Sequence, residues 1–304
     1  MMSRNSPDKR LSVAKTYKLY IGGKFPRTES GRTFEARSPS GELLANLCRA
    51  SRKDLREAVV VARKAFSDWS GRSGYNRGQI LYRIAEMMEG RAEQMVNEIC
   101  SQGVPATKSR KEVETAIERF VHYAGWADKY AQVHSSVNPV SSSHFNFSVP
   151  EAMGIVGIVA PNEPSILGLS TLLAPALAGG NVTIALVSET HPLAPATFAE
   201  ILHSSDVPSG VVNILTGFRK ELLPDLSTHM DVNAILAADL SPKERKLTEE
   251  NSALNLKRVV HLPSKAISAT NHPGLSPILS LQETKTTWHP IGTYFTTWWL
   301  RGIS

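Results

Sequence analysis

The sequence predicts an α/β protein. Its main body is a Rossmann-like, doubly wound parallel sheet, preceded by an N-terminal helical layer and carrying an extended β arm. Three observations predict it. From Gly154 onward, short apolar runs alternate with helix-length segments, as strand–helix–strand units do. Between residues 53 and 133, helical periodicity continues without any strand signal. Residues 144–149 and 282–289 instead alternate with period two and sit apart from the apolar core, as arm or edge strands do.

Residues 1–16 are basic and polar with no apolar stretch behind them, so they read as a disordered tail and not as a secretory signal. The run YKLYIGGKF at 17–25 predicts a hairpin about its Gly-Gly turn. Residues 34–50 continue in extended form, punctuated by SPSGE. Leu55, Val59, Ala62 and Phe66 then recur at three- and four-residue spacing, the face of a helix over 53–69, and Gly71 to Gly74 break it. One long helix is predicted over 76–102, with Ile80, Ile84, Met87 and Met88 inward, ended by Gly103 and Pro105. A third runs over 107–133, with Val113, Ile117, Phe120 and Val121 inward.

The run GIVGIVA at 154–160 reads as a buried strand, followed by an apolar helix over 164–179. Strands NVTIALV, GVVNILT and VNAILA follow, separated by helices at 192–203 and 219–228, with a last helix at 242–251. Short parallel strands of this kind require crossover connections, and right-handed crossovers place helices on both faces. The Ser- and Pro-rich stretch 264–281 is predicted to be a linker, and 282–304 an arm-type strand with an unassigned aromatic tail containing Trp298 and Trp299. One domain over 17–263, with the arm near 134–150, accounts for the rest.

Composition narrows the function. Of 304 residues, 41% are hydrophobic and 20% charged, which suits a globular core, and no run approaches the ~18 apolar residues of a membrane span. The net charge of +6 is dispersed, and Lys243, Arg245 and Lys246 are interrupted by Glu244, so solvated helix faces are expected in place of a nucleic-acid surface. Cys48 and Cys100 are far apart and lack metal-ligand spacing, which predicts neither disulfide nor zinc and fits a reducing cytoplasm.

The segment from Glu151 through LAPALAGGNVTIALVSETHPLAP resembles the aldehyde dehydrogenase superfamily, and the likeness continues through VPSGVVNILTG and STHMDVNAILA. Upstream, YIGGKF, SPSGELL and LREAVVVARKAFSDWS also match, so the resemblance covers roughly residues 17–240. NLKRVVHLP at 255–263 and ETKTTWHPIG at 283–292 are most similar to the degenerate second domain of aldehyde dehydrogenase family 16. The implied fold is a truncated aldehyde dehydrogenase-like one, and residues 144–149 and 283–292 correspond to parts of the family's oligomerisation arm.

The resemblance also implies what is missing. Aldehyde oxidation needs a thiolate nucleophile, a base for water and a donor for the developing oxyanion. The family's nucleophile follows the nucleotide-binding sheet, whereas Cys48 and Cys100 both precede it, and only about fifty residues follow the NLKRV run. No catalytic residue is therefore assigned. In the family's Pro-Trp-Asn-Phe-Pro motif the Asn is the oxyanion donor. Here Pro161-Asn162-Glu163-Pro164-Ser165 puts Glu163 at that position, and a carboxylate cannot donate. Where the family's Lys-Pro-(Ala/Ser)-Glu motif holds the adenosine ribose, Leu186 replaces the Lys and Glu189 remains as a vestigial cofactor contact, though it reads more readily as a surface or helix-capping carboxylate than as a ribose ligand. The family's Gly-Ser pair facing the pyrophosphate falls near Ala238-Asp239, and its general-base Glu is absent near Asn255-Leu256-Lys257-Arg258.

These substitutions predict a pseudoenzyme without a cofactor, or one that binds NAD(P) if the ancestral site is retained. Its expected role is a structural or assembly subunit, forming a homo-oligomer or joining an active aldehyde dehydrogenase. Two alternatives stand beside it: an NAD(P)-dependent aldehyde oxidoreductase with a rearranged site, and a nucleotide-binding regulator that uses the crevice at the strand ends.

Overall fold

The structure, a computed structural model, describes residues 13–267 and 274–291. The predicted tail up to residue 12, the centre of the predicted linker and the Trp298-Trp299 segment lie outside the described residues.

The chain begins with a small sheet of β1 (Thr16–Tyr17), β2 (Thr33–Arg37) and β3 (Leu43–Cys48), in the order β1-β3-β2. The predicted hairpin at 17–25 shrinks to a tight turn in which Ile21 and Lys24 exchange backbone bonds of 3.0 and 3.1 Å. Tyr20 instead pairs with Ile214, nearly two hundred residues away, through bonds of 3.0 and 2.8 Å. A turn signal fixes the chain reversal but not the partner, and here the main sheet supplies it.

Helix α1 (Arg52–Gly71) starts at a capping box: Ser51 accepts from the Asp54 amide, and the Asp54 carboxylate accepts from the Ser51 amide at 2.7 Å. Leu55, Ala58, Val59 and Ala62 are its buried face. The helix predicted over 76–102 is two, α2 (Gly74–Glu89) and α3 (Ala92–Ser101), broken at Gly90 and Arg91. The helix predicted over 107–133 is also two, α4 (Ala106–Trp126) and α5 (Tyr130–His134). Apolar spacing continues across both breaks, so periodicity reads through them. On α4, Val113 and Phe120 point inward, but Ile117 is only half-buried and Val121 is 42% exposed, because Glu112, Thr115 and Arg119 share the inner face.

The main sheet contains β6 (Ile155–Val159), β7 (Val182–Leu186), β8 (Val212–Leu215), β9 (Ala234–Ala238) and β10 (Arg258–Leu262). It follows an arm made of β4 (Ser136–Asn138) and β5 (His144–Ala152). The main sheet is parallel throughout, in the order β10-β9-β6-β7-β8. The chain starts at central β6, winds outward through β7 and β8, then returns to lay β9 on the other side. That reversal makes the β6/β9 junction the topological switch point. Helices α6 (Ser165–Ala178), α7 (Leu193–His203), α8 (Arg219–Thr228) and α9 (Pro242–Ala253) each follow a strand, so their N-termini face the carboxyl end of the sheet. Strands β6 to β9 and all of α6 are buried, whereas α9 buries only Thr248 and Ser252.

The end of the predicted linker is docked. A short helix, α10 (Ser276–Leu279), buries Pro277 and Ile278, and Leu281 beyond it is fully buried. Gln282 then opens β11 (Gln282–Pro290), donating to the carbonyl of Gly179 at 3.0 Å. β11 runs antiparallel to β5 in continuous register from Gln282 opposite Ala152 to Pro290 opposite His144. With β4 on the far side of β5, the arm is a three-stranded sheet.

Candidate functional site

In a doubly wound sheet, ligands bind at the switch point, outside the carboxyl ends of the strands. Here that crevice is crossed by a side chain. Arg219, the first residue of α8, is 5% exposed. Its guanidinium donates Nη2 to the carbonyl of Ala160, just past β6, and Nη1 at 3.2 Å to the carbonyl of Asp239, just past β9. One cation thereby ties the ends of β6 and β9.

The one site residue predicted from the sequence, Glu189, serves the same assembly. Glu189 accepts the Arg219 backbone N–H and so caps α8. The Glu189 amide donates to Asn162 Oδ1 at 2.9 Å, and Ser188 Oγ donates to the Asn162 carbonyl at 2.9 Å. Asn162 is thus a joint between the loops after β6 and β7. Glu163 is 66% exposed at its side chain and lies 3.4 Å from His191 Nδ1. Leu186 is buried in the sheet at 2% exposure.

Two further helix N-termini are neutralised from within. Glu112 on α4 accepts the Ile166 amide at 2.8 Å and the Ser165 hydroxyl at 3.4 Å, capping α6. Burial pushes its carboxyl above the ordinary carboxylate range, against the pull of these donors. Ser241 and Glu244 form a capping box on α9, with the Ser241 amide donating to Glu244 at 2.8 Å. The N–H groups and dipoles of α6, α8 and α9, which make strand-end crevices attractive to phosphate, are each matched to an internal carboxylate. Asn251 on α9 also donates to Ser227 on α8 at 2.8 Å, holding this pair together.

Beyond β9 and β10 lies a small cavity of about 260 Å3, bordered by Asp239, Arg245 and His261. Arg245 is paired there with Glu249 at 2.9 Å, and His261 Nε2 lies 3.3 Å from the same carboxylate. Burial holds the His261 imidazole below its ordinary pKa, assisted by the Arg245 charge and opposed by Glu249. Among the described residues no cluster of His, Cys, Asp and Glu suits a metal ion.

Neither thiol reaches the crevice. Cys48 is 1% exposed at the end of β3, and its carbonyl accepts the Thr216 hydroxyl at 2.6 Å, beside edge strand β8. Cys100 is half-buried at the end of α3. Sequence reasoning missed Arg219 and Glu112. The signal for Glu112 was helical phase, since it shares a face with Val113, Ala116 and Phe120. For Arg219 there was only its place at a helix start, because the reach across the crevice depends on strand order.

The strand order and helix placement define a Rossmann-like, doubly wound α/β fold with a β arm. Residues 25–263 match the family model described as "Aldehyde dehydrogenase family", and the chain belongs to that family. It is 33% identical over 250 residues to a putative aldehyde dehydrogenase, DhaS, of Bacillus subtilis, covering 80% of this chain and 50% of the relative. It is 30% identical over 247 residues to the mitochondrial benzaldehyde dehydrogenase of Antirrhinum majus, covering 80% and 46%. The chain therefore spans about half the length of these relatives. Among solved structures, an NAD+ complex of aldehyde dehydrogenase from Bacillus cereus superposes with a TM-score of 0.78 at 26% identity, over 82% of this chain and 51% of that one.

At the strand ends the Arg219 guanidinium is bonded to two carbonyls, and the N-termini of α6, α8 and α9 are capped by Glu112, Glu189 and Glu244.

Proposed function

We propose that this chain is a non-catalytic aldehyde dehydrogenase-type subunit whose role is assembly, with copies of itself or with an active aldehyde dehydrogenase. The observation that carries the reading is the Arg219 side chain spanning the β6/β9 junction, bonded to the carbonyls of Ala160 and Asp239. It supports a crevice that serves as packed structure instead of as a cofactor cleft. The arm supplies the means of assembly. Among the described residues its outer strand β11 presents an unpaired edge, and Trp288 on it is 57% exposed.

Light scattering after size-exclusion chromatography tests this, on the chain alone and mixed with an active aldehyde dehydrogenase. The reading expects a defined oligomer in one of the two samples. A monomer that ignores the partner overturns it, as does aldehyde-dependent reduction of NAD+ that disappears in C48S or C100S.

A further inference from the structure

We propose that the hollow between β1, α3 and α7 is a binding site for a small organic anion with an apolar body. The cavity measures about 480 Å3, within the range of small-molecule pockets, and none of its lining residues belongs to the switch point. Its rim is cationic: Lys15, Lys18 and Arg91 face a single carboxylate, Glu200.

That carboxylate arranges the cations more than it cancels them. Lys15 Nζ lies 2.9 Å from Glu200 Oε1, and Arg91 Nη1 lies 3.2 Å from Glu200 Oε2, so one anion holds two cations by separate oxygens. The Lys15 ammonium is fixed further, 4.0 Å from the centre of the Tyr17 ring. Tyr17 is itself anchored, donating to Glu98 at 2.9 Å. Three positive side chains against one lining carboxylate leave a surplus, and Glu200 sets the positions of Lys15 and Arg91 before any ligand arrives. Such preorganisation favours an anion, since the entropy of ordering long side chains is already spent.

The remaining wall is apolar and aromatic. Phe25 packs edge-on against His203, with ring centres 5.3 Å apart, and Ala196 forms part of the lining. A simple inorganic anion would leave this wall in water. A carboxylate or phosphate carried on an aromatic or aliphatic body satisfies both halves: the head group takes charge-assisted bonds from Arg91 and Lys18, and the body covers Phe25.

Isothermal titration of the intact chain with 2-naphthoate and 1-naphthyl phosphate tests the site and separates a carboxylate preference from a phosphate preference. The cationic analogue 1-naphthylmethylamine serves as the control. Saturable binding of at least one anion is expected, with none of the amine. R91Q weakens it about tenfold, the loss of one charge-assisted contact. S204W, at an exposed lining position on the rim, abolishes it while the thermal midpoint stays unchanged. Binding of the amine as tight as that of the anions overturns the proposal. So does anion binding unaffected by R91Q and S204W, or no binding of either anion.

Discussion

Arg219 donates Nη1 to the carbonyl oxygen of Asp239 at 3.2 Å while its other terminal nitrogen holds Ala160, so a helix-start side chain joins the two strand ends at the sheet's switch point. Buried carbonyls that lose their donor cost about 1–3 kcal/mol each in desolvation. Arg219→Ala is therefore expected to lower unfolding free energy by roughly 2 kcal/mol or more. Urea denaturation checks this; an unchanged midpoint would show that the bridge contributes nothing.

Glu112 gives a pH signature. Its folded pKa lies above the ordinary value of 4.5, because burial outweighs the helix-cap bonds. A raised carboxyl contributes stability below its unfolded pKa and loses it as pH rises through the folded pKa. Comparing the wild type with E112Q across pH 4 to 8 isolates this share. The wild type should lose stability relative to E112Q as pH rises above about 4.5, and parallel curves would contradict the assignment.

Lys257 titrates with the same logic and the opposite sign. Its ammonium donates to the carbonyls of His229 and Val232 at 2.6 Å each, and burial lowers its pKa from 10.5 to about 8. Between those values the unfolded chain binds more protons, so this group makes stability rise with pH over that window. In K257M this rise should be absent, so the wild-type minus K257M stability difference should climb between about pH 8 and pH 10.5, and a flat difference would contradict the assignment.

Gly154 cannot carry a side chain. Its φ is +135°, and a Cβ there would come within 2.2 Å of Asn233 Oδ1, the atom that accepts the Ile155 amide at 2.9 Å. Gly154→Ala is expected to cost about 2 kcal/mol or more, visible as a drop in thermal midpoint.

The arm should be separable from the body. Thr286 lies opposite Ser148 in the β11/β5 ladder, and their hydroxyls are 2.8 Å apart. Thr286→Pro adds a ring and removes an N–H within that ladder, so assembly should fall while the main transition persists. Light scattering together with circular dichroism reads both.

The strand–helix alternation from Gly154 to Ala253 was legible because buried strands and apolar helices leave distinct periods. The breaks at Gly90-Arg91 and near Lys129 were not, because the apolar phase runs through each. The pairing of Tyr20 with Ile214 was invisible for a different reason: a short extended segment names no partner. At the crevice, the altered Leu186 and Glu163 positions could be read from the sequence, and so could the helix-capping alternative for Glu189. The Arg219 bridge could not, since it exists only once β9 is laid beside β6.

Calorimetric titration of the purified chain with NAD+ and NADP+ tests the closed crevice most directly. The account predicts no saturable heat up to about 1 mM of either dinucleotide. Saturable binding in the micromolar range, with the Arg219 bonds to Ala160 and Asp239 broken in the complex, would contradict it.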